Sequence, residues 1–439
     1  MNLANVSSIK STQDHHHTKH SYLSVRTNPN RVDWNNPPNR FKNYFLDFQR
    51  IHLDSQNLNY NFLYLVSGIT AKKTYPGIEY YLRVNPSAGA LYPNEVYFQV
   101  RDIDGFEDGI YHLEVSTSSA VKLQKLKKDE GIENILGFDF YVEGFIFFIS
   151  SLYFRSSWKY KNRAFRYCLL DAGHLIGSIE ARAYLFDKEF EVIYDFSKER
   201  LNSFFSFDEK EFFNSICLVG KKKEGKKNPF NLNLPTIDGS SYEEGKISFF
   251  VKNELIQQAY KDSLKVKDKN INSKKSNFYF QKEKFQDTIF KRRSIREFTK
   301  QAISKLEFES ILNILNEPIT SDCDEQVDIF YTINRVEGLP LGLYKNGKLV
   351  KNGDFIQKAG YLCLEQDLGK DSAVTFFLTS KSQNYQEAYQ KAGVIGHRLY
   401  LASNYLQISC SGIGAYYDDE VCEFLEEQTM VLYALAIGN

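Results

Sequence analysis

Val96, Phe98 and Val100 alternate with polar neighbours through PNEVYFQVRD (93–102). That period of two predicts a strand with one buried face. The longest apolar run, FYVEGFIFFISSLYF (140–154), contains Glu143 and is too short to cross a bilayer. Its β-branched and aromatic content predicts a buried strand. Elsewhere the period lengthens. Leu175, Ile176, Ile179 and Ala183 recur at helical spacing, as do Val394, Ile395, Leu399 and Ala402. SKLEFESILNIL (304–315) opens with the capping-box pair Ser304 and Glu307 and predicts a helix. FFVKNELIQQAYKDSL (249–264) predicts another, and Asn346-Gly347 in KNGKLV (345–350) predicts a hairpin turn. Helices flanking a largely antiparallel sheet give an α+β fold class.

The pattern occurs twice. DAGHLIGSIEARAYLFDKEFEVIYDFSKERLNSFF (171–205) aligns without gaps to KAGVIGHRLYLASNYLQISCSGIGAYYDDEVCEFL (391–425). FIFFIS (145–150) corresponds to AVTFFLTS (373–380), GIYHL (109–113) to GLYKN (342–346), and SICLVG (215–220) to LYALAIG (432–438). Matching features in one order indicate an internal duplication. The halves are expected at 1–220 and 285–439. A charged linker carrying one helix fills 221–284.

Composition narrows the function. Lys plus Arg equals Asp plus Glu at 55 each, so no general attraction to nucleic acid is expected and any anion site must be local. The six cysteines, Cys168, Cys217, Cys323, Cys363, Cys410 and Cys422, form no CxxC pair and are expected to be reduced thiols of a cytoplasmic protein. No membrane span and no secretory signal pattern is expected. HHHTKH (15–20) has no Cys or acidic residue at ligand spacing, so it is read as part of an N-terminal arm and no metal is expected.

Four stretches could carry chemistry. KRRSIREF (291–298) places Arg292, Arg293, Ser294 and Arg296 together, either as a solvated basic turn or as a phosphate clamp. Arg292 and Arg296 would share a face if the segment were helical. In RVNPSAGALYPNE (83–95), Pro86, Ser87, Ala88 and Gly89 form a small-residue bend that a flat ligand could approach; a plain strand-to-helix turn is the other reading. SGIGAYYDDE (411–420) carries Gly412 and Gly414, but this is not the GxGxxG dinucleotide fingerprint, and no such fingerprint occurs. In WKYKNRAFRY (158–167), Lys159 and Tyr160 are placed between a strand and a helix. They are either ordinary surface or a proton-transfer pair lowered into a pocket.

Together RRSIREF, PSAGALYPNE, KYKNRAFRY and GIGAYYDDEV resemble the FMN-dependent nitroreductase superfamily. The best match is its SagB/ThcOx-type dehydrogenase branch, which includes the azoline dehydrogenases. The resemblance covers about 20–220 and 285–439. It implies two nitroreductase-like units fused as an intrachain pseudodimer, with FMN as cofactor. It assigns the flavin phosphate to Arg292, Arg293, Ser294 and Arg296. The ring falls to Pro86, Ser87, Ala88 and Gly89 and to Gly412 and Gly414, and proton removal to Lys159 and Tyr160.

The elements are divided between the halves. The first half has TKHSY (18–22) where the arginines belong, and Val192 and Tyr194 where the glycines belong. The second half offers only PITSDCDEQ (318–326) near its expected ring loop and lacks the Lys-Tyr pair. One complete site per chain and one degenerate site are therefore expected. The resemblance implies an FMN-dependent oxidoreductase removing hydride and proton from a heterocyclic or peptide-derived substrate, of the azoline-to-azole type. The alternatives are an NAD(P)H-dependent nitro or quinone reductase, or a scaffold keeping the fold without activity. A peptide-modifying role would need a separate peptide-binding partner.

Overall fold

The computed structural model describes residues 15–27, 32–53, 57–75, 78–127, 130–224, 234–239, 242, 250–267 and 269–439. Residues 1–14 of the expected N-terminal arm, and much of the charged stretch 221–246, lie outside the described residues. The chain forms two compact units. The first comprises Val32–Lys275 and Ile319–Asp324; the second comprises Ser276–Pro318, Glu325–Asn439 and the described arm residues 15–27. The arm thus belongs with the C-terminal unit. There, the His20 N–H donates to Asp418 and Lys19 pairs with Asp419 at 2.6 Å.

Each unit is built on one antiparallel sheet. The first contains β1 (Arg50–His52), β4 (Asn94–Arg101), β5 (Gly109–Glu114), β6 (Ser119–Lys125), β7 (Phe140–Leu152), β8 (Phe190–Ile193) and β9 (Glu211–Glu224), ordered β1-β6-β5-β4-β7-β9-β8. A separate hairpin joins β2 (Ile69–Tyr75) to β3 (Ile78–Arg83). The second sheet contains β10 (Asp328–Ile333), β11 (Gly342–Lys345), β12 (Lys348–Asn352), β13 (Val374–Ser380), β14 (Ser409–Ile413) and β15 (Met430–Gly438), ordered β12-β11-β10-β13-β15-β14. Without β1, the two orders are the same permutation of consecutive strands. The duplication seen in sequence is therefore a duplication of topology, and the α+β class holds for both units.

Both faces of each sheet are covered. On β7, Phe145 and Phe147 stack against Phe62 of the helix Leu58–Ser67, while Ile146 and Phe148 enter a core with Leu201, Phe204 and Phe205. A period of two with apolar residues on both sides explains the unbroken run FIFF. The same holds for β4, which is buried on both faces from Asn94 to Val100. The single buried face expected there is corrected by a second covering layer. On β13, Phe376 faces Phe308 of the helix Lys305–Leu315, and Phe377 packs with Val421, Phe424 and Leu425.

Local signals are realised closely. Ser304 and Glu307 form a reciprocal capping box. Asn346 and Gly347 take φ of 47° and 86°, the left-handed pair that a two-residue hairpin loop needs. The helix expected at 249–264 shortens to Glu254–Asp262, started by the Asn253 side chain capping Ile256 N–H. Lys159 and Tyr160 end a short helix, Phe154–Tyr160, that intervenes between β7 and the long helix Ala164–Leu185. No helix among the described residues is long and apolar enough to cross a membrane.

The first unit encloses a charged knot. Lys42 Nζ donates to Glu211 Oε2, Tyr97 Oη and Gly239 O, each at 2.7 Å. Burial pulls the Lys42 ammonium below its ordinary range, and Glu211 opposes that pull. Removing one partner strands the other in the core. Lys42→Ala should cost about 3–5 kcal/mol in urea unfolding, and Lys42→Met with Glu211→Gln should recover most of it. A double variant that costs the sum of Lys42→Met and Glu211→Gln measured singly would show that the pair is not coupled.

Candidate functional site

In the first unit, the bend 86–89 and the Lys-Tyr pair come together. Gly89 has φ 63°, and a Cβ placed there would lie 2.7 Å from Tyr160 Oη and 3.2 Å from Lys159 Nζ. A larger residue would press on the tips of these two side chains and would be strained at this φ. Ala90 and Tyr92 are also left-handed, at φ 53° and 48°. The two that are not glycine, Ala90 and Tyr92, store strain of the kind found at binding sites.

What holds this strained bend is a buried carboxylate that the sequence reading did not single out. Ser87 Oγ donates to Asp171 Oδ2 at 2.5 Å, Ala88 N–H donates to Asp171 Oδ1 at 3.3 Å, and Tyr92 N–H donates to Ser87 Oγ at 2.9 Å. Burial pushes the Asp171 carboxyl up to about 7, against the lowering effect of the Ser87 and Ala88 donors. Asp171 sits in the long helix Ala164–Leu185, one residue before the Ala-Gly that opens the repeat. Pro86 is buried behind it.

The Lys-Tyr side is framed as well. Arg155, one turn before Lys159, donates to Tyr92 O at 2.8 Å and pairs with Glu95 at 2.6 Å. Burial alone would raise Glu95, yet Arg155 and His112 hold it down to about 2. Lys159 Nζ lies 5.9 Å from the Trp34 ring and 5.3 Å from the Tyr160 ring, within reach of cation–π attraction. Trp34 remains 62% exposed and packs edge-on against Trp158.

In the second unit, the arginine segment and the glycine segment meet on Tyr400. The helix Lys282–Lys291 ends at Arg292, whose ψ of 129° takes the chain out of helical conformation. Arg292 and Arg296 therefore do not share a helical face. Arg292 is 3% exposed, with its guanidinium 5.2 Å from the Tyr400 ring centre. Ser294 Oγ and Tyr400 Oη are 2.8 Å apart, and Gly412 N–H donates to the same Tyr400 oxygen at 2.6 Å. Ile295 N–H donates to Cys410 O at 3.2 Å, fastening the segment beside β14. A Cβ at Gly412 would strike the Tyr433 hydroxyl. Burial, joined by the Arg292 charge, lowers His397 to about 3, so its imidazole is neutral at physiological pH. Arg293 turns aside: its NH1 donates to Phe290 O at 3.1 Å and to Arg292 O at 2.5 Å. Arg296 is exposed, and Gly414 follows the end of β14.

The edge strand corresponding to β14 in the first unit is covered. Val192 stands where Gly412 stands in the repeat. Its N–H donates to Thr320 O at 2.9 Å, and its carbonyl accepts from Asp322 N–H at 3.2 Å. Asp322 also accepts from Tyr194 N–H and Asp195 N–H at 2.8 and 2.9 Å. The stretch 319–324, taken from within PITSDCDEQ, thus seals β8 with backbone and carboxylate.

Tyr400 and Asp171 escaped the sequence reading because neither lies in a recognisable motif. Their only signal was position inside the duplicated segment. Tyr400→Phe should keep the ring under Arg292 but orphan the Gly412 N–H, costing about 1–3 kcal/mol. Hydrogen exchange at Gly412 should accelerate, and unchanged exchange would refute the bridge. Asp171 holds its proton more tightly folded than unfolded, since its ordinary value is 3.8. Its contribution to stability is therefore greatest below about 4 and declines as pH rises to about 7. The wild-type protein should lose about 2–3 kcal/mol more than Asp171→Asn between pH 5 and pH 8. Parallel pH profiles in urea unfolding would contradict this.

Residues 289–439 match the family model described as the nitroreductase family. A candidate nitroreductase of Methanocaldococcus jannaschii is 33% identical over 98 residues, 21% of this chain and 48% of that protein, so the chain spans about half the length of this curated relative. The crystal structure of a candidate nitroreductase from Anabaena variabilis is 23% identical, with TM-score 0.79 over 98% of this chain and 99% of that one. The whole chain thus takes the fold of the Anabaena structure, and its C-terminal third carries sequence similar to the nitroreductase family.

Proposed function

We propose that this chain is an FMN-dependent oxidoreductase that removes a hydride and a proton from a heterocyclic or peptide-derived substrate. The observation that supports this most is the approach of Gly89 to Lys159 and Tyr160: a small-residue bend, left-handed at its glycine, lies against an amine and a phenol. The residues suit the cofactor. A flat ring needs a surface without side chains, which Ala88 and Gly89 supply. A phosphate needs forked and hydroxyl donors, which Arg292, Ser294 and Arg296 supply at alternate positions. Bound FMN would accept or donate hydride at its ring.

The chain's own groups would do the rest. Lys159 or Tyr160 would take the proton from the substrate atom next to the one that gives up hydride, the double bond forming between the two. Lys159 Nζ lies 5.9 Å from the Trp34 ring centre, and only its neutral amine form could accept the proton. Asp171 and Arg155 keep the bend and the pair in register through Ser87 and Tyr92. The arginine-serine set occurs only in the C-terminal half and the bend with its Lys-Tyr pair only in the N-terminal half. One flavin per polypeptide is expected from that complementarity of sequence. A second reading, reduction of nitro compounds or quinones by NAD(P)H, draws on the names of the Methanocaldococcus and Anabaena relatives.

The purified chain should be yellow and hold one flavin per polypeptide; two would contradict the complementarity, and none would favour a scaffold. Lys159→Ala should keep the flavin and slow substrate oxidation about 100-fold, the usual scale of a general base. An unchanged rate removes Lys159 from proton transfer. Rapid anaerobic bleaching by NAD(P)H would select the second reading.

A further inference from the structure

We propose that the second unit carries a separate anion site, suited to a diphosphate group, on the side of the 292–296 segment away from Tyr400. The segment leaves its helix at Arg292, and side chains of a non-helical stretch depart on alternate sides. Arg292 and Ser294 go to Tyr400. Arg293 and Ile295 go the other way and line a groove of about 470 Å³ between the helix Lys282–Lys291 and the end of the helix Tyr385–Tyr405.

The groove wall is cationic. Lys284, Lys291 and Arg293 face one carboxylate, Asp287, which pairs with Lys291 at 3.0 Å. Arg293 is held in place rather than swinging in solvent, because its NH1 bonds to Phe290 O and Arg292 O fix the plane of the guanidinium. Lys284 Nζ is steadied 4.2 Å from the Tyr405 ring centre. A planar fork and two ammonium groups around a cleft match the several oxygens of a diphosphate better than a single carboxylate. The four-residue basic motif therefore serves two sites: Arg292 and Ser294 belong to the Tyr400 cluster, and Arg293 belongs to the groove.

The test is calorimetric titration of the full flavin-loaded chain with pyrophosphate and, separately, with ADP, at low salt. Pyrophosphate should bind one site without releasing flavin. Lys284→Ala and Lys291→Ala should each weaken it about fivefold or more, on the scale of a charge-assisted hydrogen bond, with flavin absorbance unchanged. ADP bound more tightly than pyrophosphate identifies a nucleotide as the source; equal affinity identifies the diphosphate group alone. Arg293→Ala separates the two sites. Weakened pyrophosphate binding with flavin retained supports the groove. Flavin loss with pyrophosphate binding intact overturns it. So does absence of pyrophosphate binding by the wild-type chain, displacement of flavin by pyrophosphate, or indifference to both lysine substitutions.

Discussion

A strand that is apolar on both sides cannot exist at the surface of a protein; it must lie between two covering layers. β7 and β13 are such strands, and each lies in the interior of its sheet with a paired strand on both sides. Burying the alternate residues of FIFF takes a helix layer on one face and a second core on the other. The remaining strands then arrange around these two in the same order in both units. The candidate residues occupy the rims of this architecture. The strained bend precedes β4, the Lys-Tyr pair follows β7, and the glycine segment ends β14.

The two clusters are stabilised by the same device, a polar side chain from a long helix that fixes a loop segment. In the first unit Asp171 receives the Ser87 hydroxyl and the Ala88 amide. In the second Tyr400 receives the Gly412 amide and meets the Ser294 hydroxyl. Both helices belong to the duplicated segment, yet the anchoring residues are at different places in it. Each unit has elaborated a different rim of one ancestral topology. The sealing of β8 by 319–324 shows the other side of that divergence. Val192 replaces Gly412, and a neighbouring stretch of backbone satisfies the edge that the glycine segment leaves approachable in its own unit.

Burial and charge reinforce this division. The first unit concentrates ionised pairs in its interior: Lys42 with Glu211, Arg155 with Glu95, and Arg101 with Glu133. Such pairs are costly to desolvate and are retained when they fix geometry that apolar packing leaves loose. Here Arg155 couples the end of the strained bend to the helix that presents Lys159. In the second unit burial, joined by the Arg292 charge, keeps His397 neutral, and Arg292 lies across the Tyr400 ring.

The sequence by itself determined the α+β class, the duplication, the hairpin at Asn346-Gly347 and the capping box at Ser304. Each depends on residues close together in the chain, where periodicity and turn chemistry act directly. It also marked the small-residue bend, the Lys-Tyr pair and the basic segment as places for chemistry. Only the tertiary structure decided that Gly89 touches the Lys-Tyr pair, that Asp171 and Tyr400 anchor their segments, and that Arg292 and Arg293 part company. The helix ends one residue before a phosphate clamp on a single helical face would need it to continue. These contacts join residues separated by tens of positions, and they are fixed by where the covering layers place each helix. Local pattern carries no information about that placement.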